Sequence, residues 1–116
     1  INISAFSAET NEKRLIFLKT FGWDVASEPC EICEVVIPVK FDDVYEKYNA
    51  IQKKQGLDLL KYAGKRVKRY TYEVKNYPDR PQNIRVNMLV YNGKIIGGDV
   101  CSIELSGFMH GFKLEG

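Results

Sequence analysis

The sequence predicts an α+β domain, with two main helices packed on one face of an antiparallel sheet that ends in a three-stranded meander. Two observations carry this. Helical spacing of apolar residues is confined to the first half of the chain, and strand-like alternation dominates the second half. Strands clustered after helices favour α+β over an alternating α/β fold. The length of 116 residues fits one domain at roughly 100–200 residues each. Residues 1–116 are therefore read as a single domain, with residues 1–9 as a lead-in.

The first helix is predicted over residues 10–21. Thr10 supplies a side-chain oxygen for the first free amides, and Leu15, Phe17, Leu18 and Phe21 share one side. Gly22 follows where a left-handed residue commonly ends a helix. Trp23-Asp24-Val25 leaves in an extended conformation. Residues 31–37, EICEVVI, form a β-branched strand with Cys33, Val35 and Ile37 on one face. Pro38 confines it to an edge or a strand end.

Asp42 and Asp43 open the second helix, and Gly56 ends it. Phe41, Val44, Tyr48 and Ile51 are its expected buried stripe. Acids at its start and Lys53 and Lys54 at its end complement the helix dipole. Leu57–Tyr62 is expected to make one more short turn, capped by Gly64.

Residues 66–77 read as strand through Tyr70, Tyr72 and Val74. Val67 is out of phase, which predicts a bulge near Lys68-Arg69. Tyr77-Pro78-Asp79-Arg80-Pro81 is a loop. Ile84, Val86, Met88 and Val90 alternate with their neighbours in the clearest strand of the chain. Asn92-Gly93 is a strong hairpin signal, because both residues accept positive φ. The return strand spans residues 94–105, and Gly97-Gly98 within it predicts a bulge or close backbone approach.

Composition excludes some classes. Apolar residues make up 45% and charged residues 28%, too apolar for a disordered chain. The longest apolar runs, 15–18 and 35–39, are far short of the roughly 20 residues that cross a bilayer as a helix. The net charge of +2 gives no general affinity for polyanions. The charge is uneven, however. Residues 61–85 carry eight basic against two acidic residues, while residues 1–60 carry seven against ten.

Four features could carry chemistry. Cys30-Glu31-Ile32-Cys33 has redox spacing, but Glu28, Glu31 and Glu34 beside it disfavour a thiolate. Cys30, Cys33, Cys101 and His110 are all the cysteines and histidines present, and would be needed together for zinc. Cys101 and His110 lack the close spacing of a ligand pair, so no metal and no cofactor is expected. A disulfide is the remaining alternative to small apolar core cysteines.

Lys61, Lys65, Arg66, Lys68 and Arg69, with Tyr62, Tyr70 and Tyr72, could meet a nucleic acid. The strand period instead puts the tyrosines under helices and the cations on a solvated face, so no nucleic-acid partner is expected. Asp99, Glu104 and His110 could converge as acid–base groups. The tail Gly107-Phe108-Met109-His110-Gly111-Phe112 reads as a segment docked on the sheet or as an apolar recognition patch.

Several phrases occur together: Thr10-Asn11-Glu12 through Phe21-Gly22-Trp23, then Lys68-Arg69-Tyr70-Thr71-Tyr72, then Leu89 through Asp99 leading to Gly107-Phe108-Met109-His110-Gly111. With these the chain resembles a small family of bacterial domains of unknown function, found in secreted proteins and lipoproteins of Gram-positive bacteria. The resemblance implies an extracytoplasmic place, secreted or membrane-anchored, with a tether in a segment before Ile1. It makes a disulfide more plausible than composition alone does, and it transfers no catalytic residue.

The function expected is a non-enzymatic binding module for a protein, peptide or cell-envelope component, with Asp99, Phe108, Met109 and His110 as its binding residues. The alternative is a small enzyme or metal-dependent module using Asp99, Glu104 and His110.

Overall fold

The computed structural model describes residues 1–79 and 82–114. The fold is α+β, with two helices and a five-stranded antiparallel sheet. Helix α1 spans Asn11–Thr20 and helix α2 spans Asp43–Lys54. The strands are β1 (Glu31–Val36), β2 (Arg66–Glu73), β3 (Ile84–Tyr91), β4 (Lys94–Ser102) and β5 (Met109–His110), in the spatial order β1-β2-β3-β4-β5. The expected meander is β2-β3-β4. It is extended at one edge by β1, which ends before Pro38 as its position requires, and at the other by the tail strand β5.

Local chemistry sets the element ends. Thr10 Oγ1 accepts the Lys13 amide at 3.2 Å, and Asp42 Oδ1 accepts that of Tyr45 at 2.8 Å. Each such cap is worth about 1 kcal/mol. Gly22 follows α1 with φ +87°, a conformation that costs glycine least. At the β3–β4 hairpin Asn92 and Gly93 have φ +50° and +72°, the pair of positive values that the hairpin signal foretold.

The two helices do not share a face. β3 shows why. Ile84, Val86, Met88 and Val90 join a cluster with Phe17 and Leu18 of α1, Trp23, Tyr72 and Phe112. Leu89 joins a second cluster with Ile37, Leu59, Val67 and Ile96, against which Tyr45 and Tyr48 of α2 pack. Alternate residues of a strand point to opposite faces, so each face of the sheet carries its own helix. The one-face arrangement expected from sequence is corrected by these two sets.

The same fact removes the expected bulge in β2. Its pairing is continuous with β1 and with β3. Val67 is out of phase with Tyr72 because each belongs to a different apolar layer. The register shift lies instead between Leu89 and Val90, opposite Ile95 and Gly97, so Ile96 is the extra residue. It sits just before the Gly97-Gly98 pair. A side chain at Gly98 would meet Phe112 on the α1 side, whereas one at Gly97 would meet Leu59 and Gln52 on the α2 side. Close approach on both faces explains the glycines.

The buried stripe of α2 is met in part, because Phe41 and Tyr48 pack against the second cluster. Val44 is 73% exposed, and the residues buried are Asn49 and Gln52. Both have hydrogen-bond partners. Asn49 accepts the Leu59 amide at 2.7 Å and donates to Asp58 at 2.9 Å. Gln52 Oε1 accepts the Gly98 amide at 2.9 Å. A buried polar group with its partners in place is tolerated, and these two fasten α2 to the following turn and to β4.

The lead-in is part of the fold. It makes a 3₁₀ turn over Ile3–Ala5, buries Ile3 and Ala8, and bridges Ser7 to Lys94. Strand β2 stops at Glu73 and β4 at Ser102, shorter than expected. Of the loop at 77–81, Arg80 and Pro81 lie outside the described residues.

Candidate functional site

The α2 side of the sheet is only partly covered. Beyond the helix, one cross-strand row runs Glu31, Thr71, Asn87, Asp99. Thr71 Oγ1 donates to Asn87 Oδ1 at 2.7 Å, and Asn87 Nδ2 donates to Asp99 Oδ2 at 3.3 Å. Tyr48 reaches down from α2, and its hydroxyl donates to Asp99 Oδ1 at 2.6 Å. Asp99 is 2% exposed. Burial raises its affinity for a proton, while the Tyr48 and Asn87 donors oppose that shift. Burial, and then the Asp99 charge, hold the Tyr48 hydroxyl well above its ordinary range, so Tyr48 keeps its proton and remains the donor.

Above this row lies a groove of about 240 Å³. Asp99 and Asn87 line it, with Tyr45, Tyr48 and Val44 from α2, Arg69 and Leu89 from the sheet, and Met109 from β5. Arg69 stands beside Cys33 and Leu89 in the neighbouring row. Its Nη2 donates to Glu31 Oε1 at 3.1 Å, while its Nε is buried without an acceptor among the described residues.

The expected binding residues divide into two pairs. Asp99 and Met109 meet at the groove. Phe108 and His110 belong to an aromatic stack on the α1 side. There His110 Nδ1 lies 2.6 Å from the Gly111 carbonyl, which can only accept. Nδ1 therefore donates there, and Nε2 lies 2.8 Å from the Tyr77 hydroxyl. Tyr77 lies between the rings of Trp23 and Phe108, at centroid distances of 5.5 and 4.9 Å. The tail does dock on the sheet, through a buried Phe112.

The acid–base set does not assemble. Asp99 lies on the α2 side and His110 opposite Val100, whose side chain belongs to the α1-side cluster. Glu104 is exposed and accepts from Asn83 at 3.2 Å. The sulfur and histidine groups are likewise spread out. Cys33 and Cys101 stand three strands apart and four residues out of register, roughly 19 Å at normal strand spacing and rise. All three cysteines are free thiols, and among the described residues no three His, Cys, Asp or Glu side chains are placed to share a metal. Cys101 has its own environment. Burial and the Asp99 charge push its thiol up to about 11, so it is protonated and a poor nucleophile near neutral pH.

Two cations of the basic segment pair locally. Arg69 and Arg66 pair with Glu31 and Glu34 of β1 at 3.1 and 3.4 Å, which also gives the acidic Cys30–Glu34 segment a role. Tyr72 is fully buried, and the Arg14 guanidinium lies 3.8 Å over the Tyr70 ring. Arg14 also donates to the Tyr72 hydroxyl at 3.0 Å and to the Ala8 carbonyl at 2.8 Å.

Sequence reasoning missed Arg69, Tyr45 and Asn87 as groove residues. The one available signal was the strand period that puts Arg69, Thr71 and the Val67 side chain on one face.

An antiparallel sheet with a helix against each face, and a small polar-floored groove beside the second helix, define the class: a compact α+β domain. Within it, the chain belongs to the family described as Domain of unknown function (DUF4830), which matches residues 17–100. The matched span includes Tyr45, Tyr48, Arg69, Asn87 and Asp99 and leaves out Phe108, Met109 and His110. No curated protein and no solved structure matches the chain.

Proposed function

We propose that this domain is a non-enzymatic binding module that works outside the cytoplasm, on a protein, peptide or other cell-envelope component. The observation that carries the binding role is the groove beside α2. Asp99 forms its floor, Met109 its rim, and Tyr45, Tyr48 and Arg69 its walls. A concave site with apolar walls and few oriented polar groups is the usual form of a ligand site. Val44 and Met109, exposed at 73% and 48%, add apolar surface at its mouth. The buried, fully bonded Asp99 suits a rigid floor better than a proton-transfer group. The extracytoplasmic place rests on the sequence resemblance alone.

Isotope-labelled protein titrated with peptides and cell-wall fragments tests the binding role. The expected result is a saturable resonance shift centred on Tyr45, Tyr48, Arg69 and Met109. Shifts confined to the α1 side would move the site to the Trp23–Tyr77–Phe108–His110 stack. Fractionation of cells making the natural full-length protein tests location, and recovery in the cytosol would remove that part of the reading.

A further inference from the structure

We propose that the groove takes a small apolar carboxylic acid, its carboxylate on the Arg69 guanidinium and its apolar body against Tyr45, Leu89 and Met109. This deepens the binding reading above and rests on it. The accessible charge in the groove decides the sign of the ligand. Asp99 is 2% exposed, and both its oxygens already accept hydrogen bonds, from Tyr48 and from Asn87. The Arg69 side chain is 36% exposed. A ligand entering from solvent therefore meets a cation.

That cation is incompletely used. Glu31 takes one donor, at Nη2. The Nε hydrogen is buried with no acceptor among the described residues, and a buried donor left unpaired costs about 1–3 kcal/mol. A guanidinium offers five donors in a planar fork that matches a carboxylate, so a second carboxylate can join without expelling Glu31. The oxygen reaching Nε has to shift the groups that cover it. Apart from Asn87 and Asp99 in the floor, the remaining lining is aromatic and aliphatic, suited to an unbranched or aryl chain. The volume of about 240 Å³ lies below the roughly 300–1,000 Å³ of sites for drug-sized ligands, which points to a small acid.

The experiment compares three probes of one shape, 4-phenylbutyrate, 4-phenylbutanol and 4-phenylbutylamine, titrated into the labelled protein. The expected result is that the acid shifts Arg69 and Met109 and binds about tenfold or more tightly than the alcohol, as a charged hydrogen bond requires. Arg69→Gln should abolish that preference, with its folding checked by the unchanged resonances of the α1 side. Val44→Glu, which sets an anion at the rim of the groove, should weaken the acid by a larger factor than it weakens the alcohol. Equal binding of acid and alcohol, or preference for the amine, overturns the carboxylate assignment while leaving the groove a binding site. Shifts absent for all three probes overturn the assignment too. If peptides and cell-wall fragments also leave the groove unshifted, the binding reading falls with it.

Discussion

The indole N–H of Trp23 donates to the carbonyl oxygen of Phe112 at 2.7 Å, linking positions 89 residues apart. Phe112 in turn sets its ring edge-on to Phe17 at 4.9 Å between centroids. The tail is thus held into the α1-side layer by one directed hydrogen bond and one buried ring. Phe112→Ala should lower stability by about 3–5 kcal/mol, the usual cost of deleting a buried aromatic ring. Urea unfolding followed by the emission of Trp23, the single tryptophan, measures this. A loss below about 1 kcal/mol would mean that the tail is not part of the core.

The two neighbouring glycines of β4 should respond unequally. A Cβ at Gly98 collides with the Phe112 ring and with the Asn87 backbone oxygen, whereas one at Gly97 lies 3.1 Å from Leu59 Cδ2 and 3.2 Å from Gln52 Oε1. Overpacking typically costs about 1–3 kcal/mol. Gly98→Ala is expected at or above the top of that range and Gly97→Ala near the bottom. Thermal unfolding of the two variants checks the order.

Asp99 makes stability depend on pH in an unusual direction for a carboxylate. Burial leads its upward shift, so over the interval between its unfolded and folded values the native state binds more protons. Stability from this group is then greatest at low pH and is lost as pH rises through the folded value. Asp58 acts oppositely. The Asn49 side chain and then the Leu60 amide bind its charged form and lower its value, so its contribution is present above the unfolded value and lost as pH falls. Asp99→Asn should remove the first component and keep the second. Denaturation curves from pH 3 to pH 8, the variant subtracted from the parent, show whether the difference falls with rising pH.

The thiols should label in a fixed order. Cys30 is exposed, while Cys33 and Cys101 are partly covered, and Cys101 is further slowed by its raised value of about 11. Alkylation of the native protein at pH 8, followed by mass spectrometry, is expected to modify Cys30 first and Cys101 last. In denaturant without reductant three labels should appear. A single label would reveal a disulfide.

The ion pairs of β1 with β2 should contribute little. Arg66–Glu34 has side chains 68% and 55% exposed, and such pairs are worth about 0–1 kcal/mol. Glu34→Gln should shift the midpoint of unfolding only slightly, and added salt should erase the difference.

Much of the fold was legible where local chemistry decides it. Thr10, Asp42, Gly22 and Asn92-Gly93 mark ends and turns through their own backbone preferences, which no distant contact overrides. The layering was not legible. Val67 and Tyr72 each obey the strand period, but they serve opposite faces, and a one-sided reading turns their phase difference into a bulge. The α2 stripe was legible at Phe41 and Tyr48 but not at its two buried polar positions. Hydrophobicity cannot find Asn49 and Gln52, because their burial is repaid by hydrogen bonds to Leu59, Asp58 and Gly98, partners that only the fold supplies. The candidate site was half visible. Asp99 and Met109 were singled out and do meet, but the strand pairing that brings Arg69 beside them joins segments far apart in sequence.

The position of Phe112 has a consequence for synthesis. The α2-side layer draws on residues from Val35 to Ile96, while the α1-side layer awaits Phe112. A chain leaving the ribosome from its N-terminus exposes Phe112 after every other member of either layer. During translation the hollow around Phe17, Trp23 and Gly98 stays unfilled while the opposite layer already has all its parts. The order of emergence makes the Trp23–Phe112 hydrogen bond one of the last contacts that the α1-side layer can form.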